Sequence, residues 1–294
     1  MPPSVTFTLD LEDLRTSPTQ ESRLEQVTDR LLERLDALGV TGTVFCVGDL
    51  VQRHPGLIAR IAEAGHELAV HGFHHVPLDL LEPERFKRQN HEARARLEDV
   101  AGTEVVGFRA PQFSLVPETA WAVDILGDLG FRYSSSVMPA PSPLYGWPGA
   151  PATPFRWPNG LVELPCPIVL VAGRPIPFLG GTYVRILPDV VRRYGMGKAD
   201  PDTVLWTYCH PWEFDPDEKF YVFEHGGLIA SLVGWTNRKN MMRRVERALA
   251  GGVPGPCLRD AVADLGELPE FRPPAQGTTQ GTLQGVLRKR PTSA

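Results

Sequence analysis

Short apolar runs that end in charged or turn-forming residues alternate along this chain with longer stretches of helical period, and this alternation constrains the fold more than any other feature. Val5-Thr6-Phe7-Thr8-Leu9 alternates apolar and polar side chains and stops at Asp10, Glu12 and Asp13, so it reads as a strand with acids at its carboxyl end. From Glu21 to Leu38, residues Leu24, Val27, Leu31, Leu32, Leu35 and Leu38 recur at helical spacing, with Gly39 placed to end the helix. The pattern continues with a strand over Thr41 to Val47, a helix over Asp49 to Ala64 and a strand over Glu67 to Val70. A helix over Glu82 to Val100, a strand over Val105 to Phe108 and a helix over Pro117 to Leu129 follow. Phe131 to Tyr133, Leu161 to Pro165 and Val204 to Cys209 supply later strands. Strands separated by whole helices pair in parallel with the helices outside, which makes the chain an α/β protein.

At 294 residues, 42% of them hydrophobic, the chain can bury one large core, and residues 1–268 are expected to form a single catalytic domain. Pro139 to Pro158, rich in Pro and Gly, is expected to run irregularly over the surface, as a plain loop or as part of a substrate groove. After Glu224, Ile229, Leu232, Val233, Met241, Val245 and Leu249 predict a C-terminal helix packed on the domain. Residues 269–294 turn to Pro, Gln, Gly and Thr and are expected to be a disordered tail. A formal charge of -5 without a long Lys/Arg block provides no footprint for nucleic acid. The absence of an 18-residue apolar run excludes a transmembrane segment, while surface association with a membrane stays open. Met1-Pro2-Pro3-Ser4 has none of the marks of a signal peptide, so a cytoplasmic location is expected. Cys46, Cys166, Cys209 and Cys257 lie far apart without a Cys-x-x-Cys motif and are expected to be reduced, mostly buried thiols.

Four clusters fall at predicted strand ends: Asp10-Leu11-Glu12-Asp13, His71-Gly72-Phe73-His74-His75, Arg109-Ala110-Pro111-Gln112-Phe113 and His210-Pro211-Trp212-Glu213. In α/β barrels that is where active sites assemble. If the second cluster turns helically, His71 and His75 share a face and can grip one ion. Two histidines and one carboxylate leave coordination positions for water and substrate, as hydrolytic metal sites require, although non-haem iron oxygenases use the same ligand types.

In this order the clusters resemble the polysaccharide deacetylase, or NodB-homology, family of carbohydrate esterases over roughly Val5 to Asp215. The resemblance is to the branch with Asp-x-Glu-Asp and His-Pro-Trp-Glu motifs, often associated with exopolysaccharide systems. It implies a distorted β/α barrel that removes the acetyl group from an N-acetylated sugar with the help of a divalent metal, zinc being the expected ion. Asp10 matches the general base, His71 and His75 match metal ligands, and Asp13 is expected as the third ligand. Glu12 is its rival, because strand geometry puts Asp10 and Glu12 on one side. Arg109 matches the arginine that holds the base, and His210 the acid that protonates the leaving amine. Phe113 stands where many relatives carry tyrosine, leaving its backbone N–H to assist the oxyanion, and Trp212 is expected to pack over the acetyl group or sugar. Ser134 replaces a usual aspartate and no Asp-x-x-Asp-Trp string is present, so Glu163 is the candidate support for the acid histidine. His66 and His74 match no role; His66 is expected to make a structural hydrogen bond. Two rival readings are a related amide hydrolase, acting on a formamido sugar or cyclic ureide, and a catalytically silent carbohydrate-binding member. Oligomeric state is left open.

Overall fold

The computed structural model describes residues 4–13, 22–200, 202–223, 227–250 and 252–273. Its centre is a run of parallel strands: β1 (Ser4–Leu11), β2 (Gly42–Cys46), β3 (Glu67–Val70), β4 (Gly107–Phe108), β5 (Tyr133–Ser134) and, antiparallel to its neighbour, β6 (Phe155–Arg156) beside β7 (Val162–Glu163). A separate hairpin, β8 (Ile168–Val171) and β9 (Arg174–Pro177), precedes β10 (Leu205–Trp206) and β11 (Val253–Pro254). The order β10-β1-β2-β3-β4-β5-β7-β6, with β11 also on β1, is the curved sheet of a distorted β/α barrel. Helices α1 (Leu24–Ala37), α2 (Gly48–Arg53), α3 (Pro55–Glu63), α4 (Pro83–Ala101) and α5 (Trp121–Asp128) alternate with the first strands. They are followed by α6 (Gly181–Ile186), α7 (Asp189–Lys198), α8 (Gly227–Trp235), α9 (Met241–Ala250) and α10 (Leu258–Ala263).

The two faces of each strand belong to two different cores. Val5, Phe7, Leu9 and Leu11 of β1 join Leu24, Leu31 and Leu35 of α1 in the outer layer, with Val44, Leu68 and Val70 of the neighbouring strands. Phe45, Ala69, Tyr133, Val162 and Trp206 fill the inner layer. Because side chains alternate along a strand, the inward positions of β1 are Thr6, Thr8 and Asp10, and Glu12 extends the series beyond its end.

Several boundaries differ from the sequence expectation. The helix expected over Asp49 to Ala64 is split at His54 by Pro55, which lacks an N–H and pushes its predecessor out of helical geometry. The C-terminal helix is two helices, broken where Asn237 adopts φ 62°. Met241, Val245 and Leu249 of α9 are buried as expected, whereas Ile229, Leu232 and Val233 of α8 face outward. The Pro139 to Pro158 segment is not a plain surface run, since Trp147, Phe155 and Trp157 are buried in one aromatic cluster. Phe271 completes that cluster, and Arg156 exchanges backbone hydrogen bonds with Pro269 and Phe271, so the fold extends past the expected boundary at 268. Residues 274–294 of the expected tail lie outside the described residues. All four cysteines are buried and unpaired. No helix among the described residues is long and apolar enough to cross a membrane.

Candidate active site

The strand ladders bring the four clusters together. The Asp10 N–H donates to the Cys209 carbonyl (2.8 Å) and the Cys209 N–H to the Thr8 carbonyl (3.2 Å), which seats His210 opposite Asp10. His71 N–H continues the β2–β3 ladder onto the Cys46 carbonyl, and Arg109 N–H continues the next one onto the Val70 carbonyl. The histidine cluster is a loop and not a helix: Gly72 (φ 70°) and His75 (φ 56°) both take left-handed backbone, and this turn brings the two imidazoles to 5.0 Å between ring centroids. The i, i+4 spacing therefore meets through a loop rather than through a helix face.

Ligand atoms of Glu12, His71 and His75 lie within 4.8 Å of one another. Asp13, the expected third ligand, is instead turned away from the inward series and accepts from the Ser22 hydroxyl (2.9 Å). The alternation of the strand explains the difference, since Asp10 and Glu12 share parity and Asp13 does not. A cation fits these residues. Glu12 Oε2 lies 2.6 Å from His75 Nε2, and against the lowering effect of burial Glu12 raises the His75 pKa, so the two ligand atoms share a proton in the place a cation would take. His71 Nδ1 lies 2.9 Å from the Arg109 carbonyl, which can only accept, so the proton sits on Nδ1 and the Nε2 lone pair is free for a metal. Burial, against the pull of Asp10, pushes the His71 pKa down to about 4, which keeps the ring neutral. Burial opposes ionisation of Glu12 too, but His75 and His210 outweigh it and leave the carboxyl ionised well below its usual range.

Asp10 is held from one side by Arg109, whose Nη1 donates to Oδ1 at 2.6 Å. Arg109 is wholly buried, donates also to Thr8 Oγ1 (2.9 Å), the Ser135 carbonyl (3.1 Å) and Ser135 Oγ (3.0 Å), and lies over the rings of Phe45 and Trp206. Burial raises the Asp10 pKa, but Arg109 with His71 and His210 brings it below the ordinary value, so the carboxylate stays ionised. Its other oxygen faces His71 Nε2 and His210 Nε2, each at 3.9 Å.

His210 is backed by Glu213, three residues on in the same motif, and not by Glu163. Pro211 opens a short 3-10 turn that lets Glu213 Oε2 accept from both the His210 N–H and Nδ1–H at 3.0 Å. Burial lowers the His210 pKa, but Glu12, Glu213 and Asp10 more than offset that and raise it to about 9. Glu213 in turn accepts from Arg185 Nε (3.0 Å), with both side chains fully buried. Gly181 is required beside them, because a Cβ there would stand 1.7 Å from Glu213 Oε2. Glu163 does different work: its carboxylate takes the backbone N–H groups of Ser136 (2.6 Å) and Val137 (2.9 Å), and Ser136 Oγ takes that of Ala110. It thus braces the loop beside Arg109.

Trp212 stacks on His210 (5.1 Å, 17°) and its indole N–H donates to Glu12 Oε1 (3.3 Å), so it orients two site residues. Phe113 packs its ring on Trp206 and Tyr208, and its N–H is taken by the Ala110 carbonyl (3.1 Å), which removes it as the expected oxyanion donor. His74 is exposed, and His66 accepts the Gly42 N–H (3.0 Å) as expected of a structural histidine. Sequence reasoning missed Glu213 and Arg185. The spacing of His210 and Glu213 could have shown the former, while nothing local marks the latter.

Residues 2–134 match the family model described as polysaccharide deacetylase. The chain carries a polysaccharide deacetylase domain. Residues 135–252 match a second model, a domain of unknown function (DUF3473). The deacetylase match contains Asp10, Glu12, His71, His75 and Arg109, and the second match contains Glu163, Arg185, His210, Trp212 and Glu213. The chain is 25% identical over 208 residues to a peptidoglycan deacetylase-like protein of Gibberella zeae, a match covering 64% of this chain and 58% of that relative. Its fold is similar to that of a candidate polysaccharide deacetylase from Mycobacterium smegmatis (22% identity, TM-score 0.56, covering 92% of this chain and 94% of that one). It is also similar to a mutant of a CE4 family pseudoenzyme of Bacillus anthracis, described as having restored enzymatic activity (16% identity, TM-score 0.50, covering 87% and 66%).

Proposed function

We propose that this chain is a metal-dependent hydrolase that removes the N-acetyl group from an N-acetylated sugar of a glycan or glycan precursor. The observation that carries the reading is the convergence of Glu12, His71 and His75 beside an arginine-held carboxylate, Asp10, and a carboxylate-backed histidine, His210. A divalent cation held by those three residues, zinc being suited to the nitrogen and oxygen donors, would polarise the amide carbonyl and acidify a water.

Asp10, ionised and fixed by Arg109, accepts the proton of the attacking water. His210 carries a proton at neutral pH on the Nε2 that faces Asp10, because its Nδ1–H is committed to Glu213. That Nε2–H protonates the amide nitrogen as the C–N bond breaks, leaving acetate and a free amine on the sugar. Asp10 and His210 stand 3.9 Å apart, so a bridging water would carry the proton from Asp10 back to His210 and reset both groups.

The test is acetate release from N-acetylglucosamine oligomers and from lipid-linked or nucleotide-linked N-acetylated sugars, with and without chelator. Turnover that survives exhaustive chelation sinks the metal role. His71→Ala should lose the metal, whereas Asp10→Asn should keep it and lose about 10²–10⁴ in rate. Full activity in both variants would show that these residues are not the site.

A further inference from the structure

Helix α8 is built inside out for a helix in water. Its buried positions are Ser231 and Gly234: Ser231 Oγ accepts the Phe223 N–H (2.8 Å), and Gly234 lies against the Phe223 ring. Its exposed positions are Leu228 (56%), Ile229 (79%), Leu232 (53%) and Val233. A surface helix normally reverses this arrangement, because exposed aliphatic area is costly in water. Phe220 and Val222, just before the helix in sequence, are exposed as well, and Phe220, Tyr221 and Phe223 pack their rings on Trp235 of the same helix.

The charge around this face differs from that of the chain. Between Glu224 and Glu246 the sequence holds four cations and no acid, in a protein of net charge -5. Arg238 is buried and paired with Glu218 (2.7 Å) and Arg244 donates to the Val184 and Leu187 carbonyls, which leaves Lys239 and Arg243 as the outward cations. Lys239 and Arg243, and Lys219 beside Phe220, are exposed, while Asp217, an exposed acid of the same stretch, is paired with Arg30 (3.8 Å). An uncharged aliphatic face with a cationic border complements an anionic lipid surface. The face also leads to the active site: Phe223 touches Trp212 (5.8 Å), which stacks on His210.

We propose that the α8 face, with Phe220 and Val222, docks this chain on an anionic lipid surface. Insertion of Leu228, Ile229, Leu232 and Val233 at the headgroup boundary holds the catalytic groups next to the bilayer. A lipid-borne N-acetylated sugar follows as the substrate class, and that step rests on the deacetylase reading. The docking does not.

Flotation of the full chain with phosphatidylcholine–phosphatidylglycerol vesicles and with pure phosphatidylcholine vesicles reads the docking without any turnover. The expected result is binding to the anionic vesicles, weakened by salt and by Lys239→Glu. Ile229→Glu with Leu232→Glu should reduce it by about tenfold or more, with an unchanged circular dichroism spectrum. Leu80→Glu, at an equally exposed leucine elsewhere, should bind like the parent. No binding by the parent chain overturns the proposal, as does equal loss in the Leu80 variant. A dimer in sedimentation velocity that the α8 substitutions dissolve, without vesicle binding, assigns the face to a second copy instead.

Discussion

Replacing Arg185 with methionine tests whether the acid histidine rests on a buried ion pair. Arg185 and Glu213 are both fully buried, and Arg185 also donates to the carbonyls of Val233 (3.0 Å) and Thr236 (2.6 Å). Methionine fills much of the same space but leaves the Glu213 carboxylate with only the two His210 N–H groups. Removing one partner of a buried pair costs about 3–5 kcal/mol. The Val233 carbonyl adds about 1 kcal/mol, whereas Thr236 is exposed and regains water. The sum of about 4–6 kcal/mol is a large part of the roughly 5–15 kcal/mol that keeps a domain folded. Adding Glu213→Gln removes the stranded charge, so the double variant should be more stable than Arg185→Met alone by about 2 kcal/mol or more. Urea unfolding followed by tryptophan fluorescence measures both differences. A loss below about 1 kcal/mol for Arg185→Met, or additive losses in the double variant, would refute the pair as the support of His210.

Glu213→Gln by itself should shift the alkaline fall of kcat to lower pH, because the acid must be protonated and one of the groups that raise His210 to about 9 loses its charge; an unmoved pH profile would contradict this. Trp212→Phe keeps the stack on His210 but removes the donor to Glu12, so metal affinity should fall by about 10–100-fold in equilibrium dialysis. Burial holds the His66 pKa below 6.5, so as pH falls through that value the unfolded chain takes up a proton that the folded chain refuses and stability declines until the folded pKa is reached. His66→Asn should flatten that limb of the stability profile relative to the parent chain. Phe271→Ala should cost about 2–4 kcal/mol in urea unfolding, since its ring packs on Trp147, Phe155 and Trp157; no loss would return this segment to the status of an unattached tail.

Periodicity alone was enough to specify the α/β layering of this protein, because the period of two in β1 and the period near four in α1 each record which face is buried. The same short-range rule placed Asp10 and Glu12 on one side of a strand, and the parity that makes Glu12 rather than Asp13 the neighbour of His75 was already written there. Tertiary structure decided what depends on register between distant segments. His210 reaches Asp10 only because Cys209 pairs with β1, across about two hundred residues of chain, and no local pattern encodes that pairing. Arg185 joins Glu213 by the same route, through a glycine whose missing Cβ leaves room for a carboxylate. The reversed burial of α8 was hidden for a related reason: its apolar residues have helical spacing, and spacing reports that a helix has an apolar face without saying whether protein or another medium covers it.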